Sequence, residues 1–350
     1  MKPSGMRKIR FVRFRYSHHS PHSGYSRIAE YGEKLLGGET IPVLKPLSPR
    51  IIRERMLWKL AKGTPGYTRE AMAAELKVAQ RVFTEHDCIY HFLYGETNYH
   101  YAGQLNGIRG NRIVATFHQP PSTLERIIQI QWHLHQLAAI LCVGTNQIEY
   151  FSKFLDRRNL HFIPLGVDIE YYQPPANFDQ RDPDLCVVIG DNYRDFPTLR
   201  GVIELVSYMR PQTRFVCVMP PKNFPLIGTH PNLDLRAGIP EAELLSLYQT
   251  ASLMVMPLHE ATANNAVLEG MACGLPVVIS DVGAVRDYVH PAGAKLIPPE
   301  DARCMAQAVC DLMDDSQRRA EMGMQARDRA LKFTWPAVVE QLNDVYQSLA

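Results

Sequence analysis

The residues best suited to chemistry lie between Met256 and Pro276, which read Met-Pro-Leu-His-Glu-Ala-Thr-Ala-Asn-Asn-Ala-Val-Leu-Glu-Gly-Met-Ala-Cys-Gly-Leu-Pro. A polar loop here runs into a short helical pattern that Gly274 and Pro276 close. Thr262 and Asn264 are both of N-cap type, and a helix that starts beside them leaves the amides of Asn265, Ala266 and Val267 without partners inside the helix. Those donors, at the positive end of the helix dipole, suit a diphosphate and need no metal to do so. Glu269 falls further along the helix, where a carboxylate has the lone pairs to accept two hydrogen bonds from vicinal hydroxyls such as those of a ribose. A plain strand-helix-strand unit with a capping glycine would need fewer polar residues than this.

Such a loop must stand at the end of a strand, and the chain supplies strands in two series. Ile9 to Tyr16, Cys88 to Leu93, Arg112 to Phe117 and Ala139 to Val143 are short β-branched or aromatic runs with helical patterns between them. Tyr172 to Pro175 and the polar stretch Asn177 to Asp184 then read as a linker. Leu185 to Ile189, Arg214 to Met219, Leu253 to Met256, Pro276 to Ile279 and Lys295 to Ile297 follow as a second series, with a helix over Glu241 to Thr250. Apolar runs alternating with helices imply parallel sheets buried on both faces. Ligands of such sheets bind beyond the carboxyl ends of the strands. Dehydrogenases, epimerases and transferases all use this architecture, so the loops must decide between them.

Composition agrees with two domains. The 350 residues are 46% hydrophobic and 21% charged, the balance of a globular protein too long for one core. A net charge of +2 offers no field for wrapping nucleic acid. The seven cysteines form no CxxC pair and sit mostly in apolar runs, as expected of free thiols in a reducing compartment. No apolar run reaches the length of a signal peptide or the ~20 residues of a membrane span. The expectation is a cytoplasmic protein. Residues 50–62 place Ile52, Met56 and Leu60 on one helical face with Arg and Lys around the rest, which suits either the anionic inner face of a membrane or a packed helix with a solvated basic side.

Leu268 to Val278, with Ser280-Asp281-Val282-Gly283 and Arg286-Asp287-Tyr288 after it, resembles the retaining GT-B glycosyltransferases of family 4, the glycosyl transferases group 1. The signature of that family is a strand ending in Pro, a first Glu, a second Glu eight positions later, and Ala-Met-Ala-x-Gly-x-Pro-Val-Val. The resemblance implies an α/β fold of two Rossmann-like parallel-sheet domains facing a central cleft. Residues 1–165 would bind the acceptor, 166–334 would bind a nucleotide sugar, and a last helix over 335–350 would return to the first domain. Phe162 to Tyr172 is similar to the family's interdomain hinge. Residues 41–110, where acceptors are recognised, match nothing in the pattern.

Carried over position by position, the resemblance makes His118 and Glu260 the candidate catalytic residues, His118 as a hydrogen-bonding and charge-stabilising group near the anomeric carbon. Ser23 and Gly24 stand at the family's glycine loop. Arg194 is the candidate cation for the diphosphate, against the alternative of a surface arginine paired with Asp195. Gly238 and Ile239 lie in the loop that meets the nucleotide base, and Thr262, Asn264, Asn265, Ala266, Val267 and Glu269 complete the donor set. His18, His19 and His22 are loop or acceptor-contact residues. The sequence departs from the pattern twice: Glu260 and Glu269 are nine positions apart, so that the first-Glu position counted from Pro257 falls on Ala261, and Asp191 stands where the family has Arg.

The reading is a transferase that moves a sugar from a UDP- or GDP-sugar to a sugar, lipid-linked or small-molecule hydroxyl, with retention and without a metal or other cofactor. A nucleotide-sugar epimerase of the same architecture and a catalytically silent binding module remain open beside it.

Overall fold

Runs of β-branched and aromatic residues become strands buried on both faces. Every residue of β3 (Cys88–Phe92) and of β10 (Ala251–Met256) is buried, as parallel sheets covered by helices require. The computed structural model describes residues 7–13, 20–42, 67–177 and 180–349. The basic segment 50–62, His18 and His19 lie outside the described residues. The chain divides into two units, Met1–Leu165 with Trp335–Ala350 and Gly166–Thr334.

In the first unit, β1 (Lys8–Arg13), β2 (Glu39–Pro42), β3, β4 (Arg112–Phe117), β5 (Ala139–Cys142) and β6 (Leu160–Phe162) form one parallel sheet in the order β2-β1-β3-β4-β5-β6. The order reverses at β1, so the crevice beyond the carboxyl ends of β1 and β3 is this sheet's natural binding place. The helix Trp335–Ser348 belongs to this unit and packs on the helix Arg27–Leu36. Buried Trp335 lies with its ring 6.3 Å from Tyr25 and 6.4 Å from Tyr31. Further along the helix, the Tyr346 hydroxyl meets Nδ1 of His91 at 2.7 Å, and His91 Nε2 meets Thr116 Oγ1 at 2.6 Å. Burial drives the His91 pKa down to about 3, so the ring is neutral and can accept on one side while donating on the other.

The second unit repeats the scheme with β7 (Asp182–Ile189), β8 (Arg214–Val218), β9 (Leu233–Arg236), β10, β11 (Val277–Ser280) and β12 (Ala294–Ile297), all parallel in the order β12-β11-β10-β7-β8-β9. Its order reverses between β7 and β10, and the loops that leave those two strands flank the crevice. Six of the seven cysteines are buried as free thiols and Cys304 is exposed.

Two sequence expectations change. Asp182 to Asp184 are not linker but the beginning of β7: Asp182 pairs with Arg214, and Asp184 lies 2.6 Å from Arg210. Neutralised in this way, the acidic residues lengthen the strand. The edge strands β2 and β9, and β6 at the other edge of the first sheet, are three or four residues of mixed polarity and carry no continuous apolar run that would announce them.

Candidate functional site

The loop that leaves β10, residues 257–264, is fastened on both sides. On one side the Asp195 amide donates to Pro257 O (3.0 Å) and the His259 amide to Tyr193 O (3.0 Å), joining it to the loop after β7. On the other side the Leu258 amide donates to Ser280 Oγ (3.0 Å) and the Ala284 amide to Ala261 O (3.0 Å), joining it to the end of β11 and the turn beyond. Gly283 permits this approach. Its φ is +52°, and a Cβ there would stand 2.2 Å from Ala261 O. Ala261 is therefore buried against backbone at the position where the family pattern has its first Glu, and Glu260 beside it is the half-buried carboxylate of this loop.

The loop ends in the helix Asn265–Ala272. Asn264 is its N-cap, with Oδ1 accepting from the Val267 amide at 3.3 Å. Two expectations are corrected here. Thr262 is not the cap but a buried loop residue, and the Val267 amide is used inside the chain because the cap side chain reaches it first. The donors left at the helix start are those of Asn265, which is exposed, and Ala266. Further along, Glu269 is 5% exposed and takes the hydroxyl of Tyr248 on Oε2 at 2.9 Å. Tyr248 is buried beside Tyr172, ring centroids 6.0 Å apart, and burial together with the Glu269 charge holds its phenol well above the usual range. Tyr248 is thus a permanent donor that fixes the carboxylate from below.

Arg194 is neither the diphosphate cation in the open nor a surface partner of Asp195. It is 4% exposed, with Nη2 donating to Ile189 O (2.5 Å) and Nε to Gly190 O (3.2 Å), so it binds the carbonyls at the end of β7. Burial lowers its pKa to about 10, which leaves it charged. Asp195 instead caps the helix Phe196–Met209, accepting from the amide and hydroxyl of Thr198 at 3.0 and 2.6 Å. An exposed cation reaches this loop from the turn after β8: Lys222 Nζ lies 3.6 Å from Asp191 Oδ2, which also accepts from Asn223 Nδ2 at 2.8 Å. Gly238 (φ +62°, exposed) and the half-buried Ile239 lie after β9, beyond the carboxyl end of the same sheet.

In the first unit, Gly24 (φ +99°) is buried and Ser23 half-buried in the turn that enters the helix Arg27–Leu36, and the Ser23 amide donates to Ser20 Oγ at 3.0 Å. His22 is half-buried in the same turn. His118 follows β4. Its Nε2 donates to Leu93 O at 2.7 Å, and its ring is clamped between Tyr25 and Tyr94, with centroids 4.5 and 4.8 Å away. The His118 amide donates to Glu96 Oε1 at 3.3 Å, and burial pushes the Glu96 carboxyl up to about 7. The structure thus gathers Ser23, Gly24 and His118 around Tyr25 in one unit. It gathers Glu260, Thr262, Asn264 to Val267 and Glu269 in the other. Among the described residues no three His, Cys, Asp or Glu side chains converge as metal ligands, and no helix is long and apolar enough to cross a membrane.

Residues 213–315, which run from the start of β8 to the end of the helix Ala302–Asp314, match the family described as Glycosyl transferases group 1. The match lies wholly within the second unit. A D-inositol 3-phosphate glycosyltransferase of Thermobispora bispora is 35% identical over 121 residues, covering 34% of this chain and 28% of the relative, so the match spans little more than a quarter of that relative's length. By structure, sucrose-phosphate synthase of Thermosynechococcus elongatus aligns with a TM-score of 0.70 and 18% identity over 98% of this chain and 99% of its own. Anabaena HepE, solved in complex with UDP and glucose, aligns with a TM-score of 0.71 and 12% identity over 98% and 100%. The chain has the α/β GT-B fold.

Within the second unit, three residues of consequence carry no motif. Tyr248 is an apolar-looking position whose hydroxyl matters only once the fold brings it to Glu269, and Tyr172, packed on it, donates instead to Glu241 Oε1 at 3.4 Å. Lys222 stands in a Pro-rich turn with nothing to mark it. In the first unit, Tyr25 adjoins the glycine already singled out, and its neighbour Gly24 was the one available signal.

Proposed function

We propose that the chain is a glycosyltransferase that moves a sugar from a UDP- or GDP-sugar to a hydroxyl acceptor. The observation that carries this reading is the fastened loop and helix start at the β7–β10 crevice, which lies inside the segment matching group 1 glycosyl transferases. The amides of Asn265 and Ala266, supported by Lys222, would receive the diphosphate. Glu269, oriented by Tyr248, would accept from the ribose hydroxyls. Gly238 and Ile239 would meet the base through backbone groups. Glu260, and His118 of the first unit, take their roles near the sugar from the resemblance alone.

In the reaction the acceptor oxygen bonds to the anomeric carbon and the bond from that carbon to the diphosphate breaks. The acceptor's proton passes to the departing diphosphate oxygen. Helix-end donors stabilise the charge that develops on that oxygen more strongly in the transition state than in the bound donor, which is how they accelerate the step. Retention rests on the resemblance of Leu268 to Val278. Binding of the diphosphate by amides and a lysine makes the reaction independent of divalent metal, so turnover is expected to persist in EDTA.

A panel of UDP-, GDP- and ADP-sugars tests the reading. Slow release of nucleoside diphosphate and free sugar from one donor is the expected result, together with severalfold or greater loss of UDP or GDP affinity in Glu269→Ala by calorimetry. Isomerisation of the sugar nucleotide without release would establish an epimerase instead, and binding without turnover a silent module.

A further inference from the structure

The end of the second unit's sheet away from the crevice carries a basic cavity that the transfer reaction does not use. It opens at the amino ends of β7, β10 and β11, measures about 270 Å³, and is lined by Arg181, Ser252, Pro276, Ser316 and Arg319. That size is just below the ~300 Å³ at which small-molecule pockets begin. No carboxylate is among its lining residues.

Both arginines are held in place by backbone. Arg181 donates through Nη1 to Tyr248 O (2.9 Å) and Ala251 O (2.6 Å), and through Nη2 to Cys273 O (2.6 Å). Arg319 donates through Nη1 to Leu312 O (2.6 Å) and to Met313 O, at the end of the helix Ala302–Asp314. Carbonyl acceptors orient a guanidinium without cancelling its charge. The carboxylates of Asp184 and Asp315 act on Arg319 electrostatically but make their hydrogen bonds elsewhere, Asp184 with Arg210 at 2.6 Å and Asp315 with the Arg318 amide at 2.9 Å. Burial lowers both guanidinium pKa values, that of Arg181 to about 10, so both remain cationic at neutral pH while bearing a cost of desolvation that an anion would relieve. Arg319 Nε and Nη2 make no hydrogen bond to any described residue, and Ser252 and Ser316 line the same cavity. Two oriented guanidinium groups and two serines lining one cavity match a phosphoryl group, whose oxygens accept several charge-assisted bonds at once.

We propose that this cavity is a second ligand site, distinct from the donor crevice, that binds a phosphoryl dianion carried by a sugar phosphate or present as free phosphate. The inference does not depend on the transferase reading, because it rests on residues at the opposite ends of the strands.

Calorimetry on the full chain, with the donor crevice saturated by UDP, decides it. Glucose 6-phosphate and inorganic phosphate are the probes and glucose is the neutral control. Binding of one or both phosphates in the millimolar range or tighter, with glucose silent, is the expected result. Tighter binding of glucose 6-phosphate identifies a sugar phosphate as the ligand, and equal binding identifies phosphate itself. Ser316→Glu places a carboxylate at the cavity mouth, at an exposed first-turn position where helices favour acids, so the fold is kept. It should weaken the phosphates about tenfold or more and leave UDP affinity unchanged. Absence of phosphate binding, displacement of the phosphates by UDP, or a Ser316→Glu protein that binds them as well as the parent would each overturn the proposal.

Discussion

Removing the Tyr248 hydroxyl tests how Glu269 is held. Tyr248 is fully buried, Glu269 is 5% exposed, and 2.9 Å separate their oxygens. In Tyr248→Phe the ring remains and one donor to a buried carboxylate is lost. A hydrogen bond to a charged group contributes about 1.5–3 kcal/mol, most of it felt as the penalty of leaving the charge under-satisfied. For a unit of this size each kcal/mol moves the melting temperature by about 2–4 °C, so the expected fall in Tm is roughly 3–12 °C. A double-mutant cycle with Glu269→Gln isolates the pair. Two groups in direct contact should show a coupling of about 0.5–3 kcal/mol by denaturant titration. In the same protein UDP affinity should fall, because the carboxylate proposed to take the ribose hydroxyls has lost the group that aims it. Additive single and double mutants, within about 0.5 kcal/mol, would show that the two side chains do not support each other and would refute the reasoning.

Gly283→Ala forces a Cβ to within 2.2 Å of Ala261 O at a φ of +52°; a cost of about 2–4 kcal/mol in denaturant unfolding is expected, from the left-handed backbone and the displaced loop together. Asn264→Ala deletes the acceptor of the Val267 amide and should cost about 0.5–2 kcal/mol, read as a Tm shift by differential scanning fluorimetry. Glu96 gives a pH signature. Burial raises its carboxyl to about 7 from the ordinary 4.5, so between those values the folded chain keeps a proton that the unfolded chain has released, and stability falls as pH rises through that window. Glu96→Gln should therefore raise the Tm at pH 8 more than at pH 5, and an equal shift at both would show that Glu96 does not titrate in this range.

Much of this was legible in the residues. The central strands announce themselves because parallel strands buried on both faces must be continuously apolar, and Cys88 to Phe92 and Ala251 to Met256 are. The edge strands Glu39 to Pro42 and Leu233 to Arg236 lie half in solvent and read as loop. Residue type brought Asn264 forward as a cap, yet only the geometry shows its side chain taking the Val267 amide. Arg194 illustrates the opposite limit. Sequence gives an arginine after a strand, but whether its guanidinium points at a ligand or back at the carbonyls of Ile189 and Gly190 depends on a turn in which Tyr193 has φ +54°. Basic cavities such as that of Arg181 and Arg319 join residues far apart in the chain and leave no local pattern at all.

The first unit is discontinuous: its strands end at Phe162 and its last helix begins at Trp335. On a ribosome adding about 5–20 residues per second, the whole second unit is made in between, which takes on the order of ten seconds or more. Through that interval Tyr25 has no Trp335 to pack on and His91 has no Tyr346 hydroxyl to meet. The first unit is thus completed only after the whole second unit has been synthesised. A change in the helix Trp335–Ser348 therefore acts on the first unit, although the residues before it in the chain belong to the second.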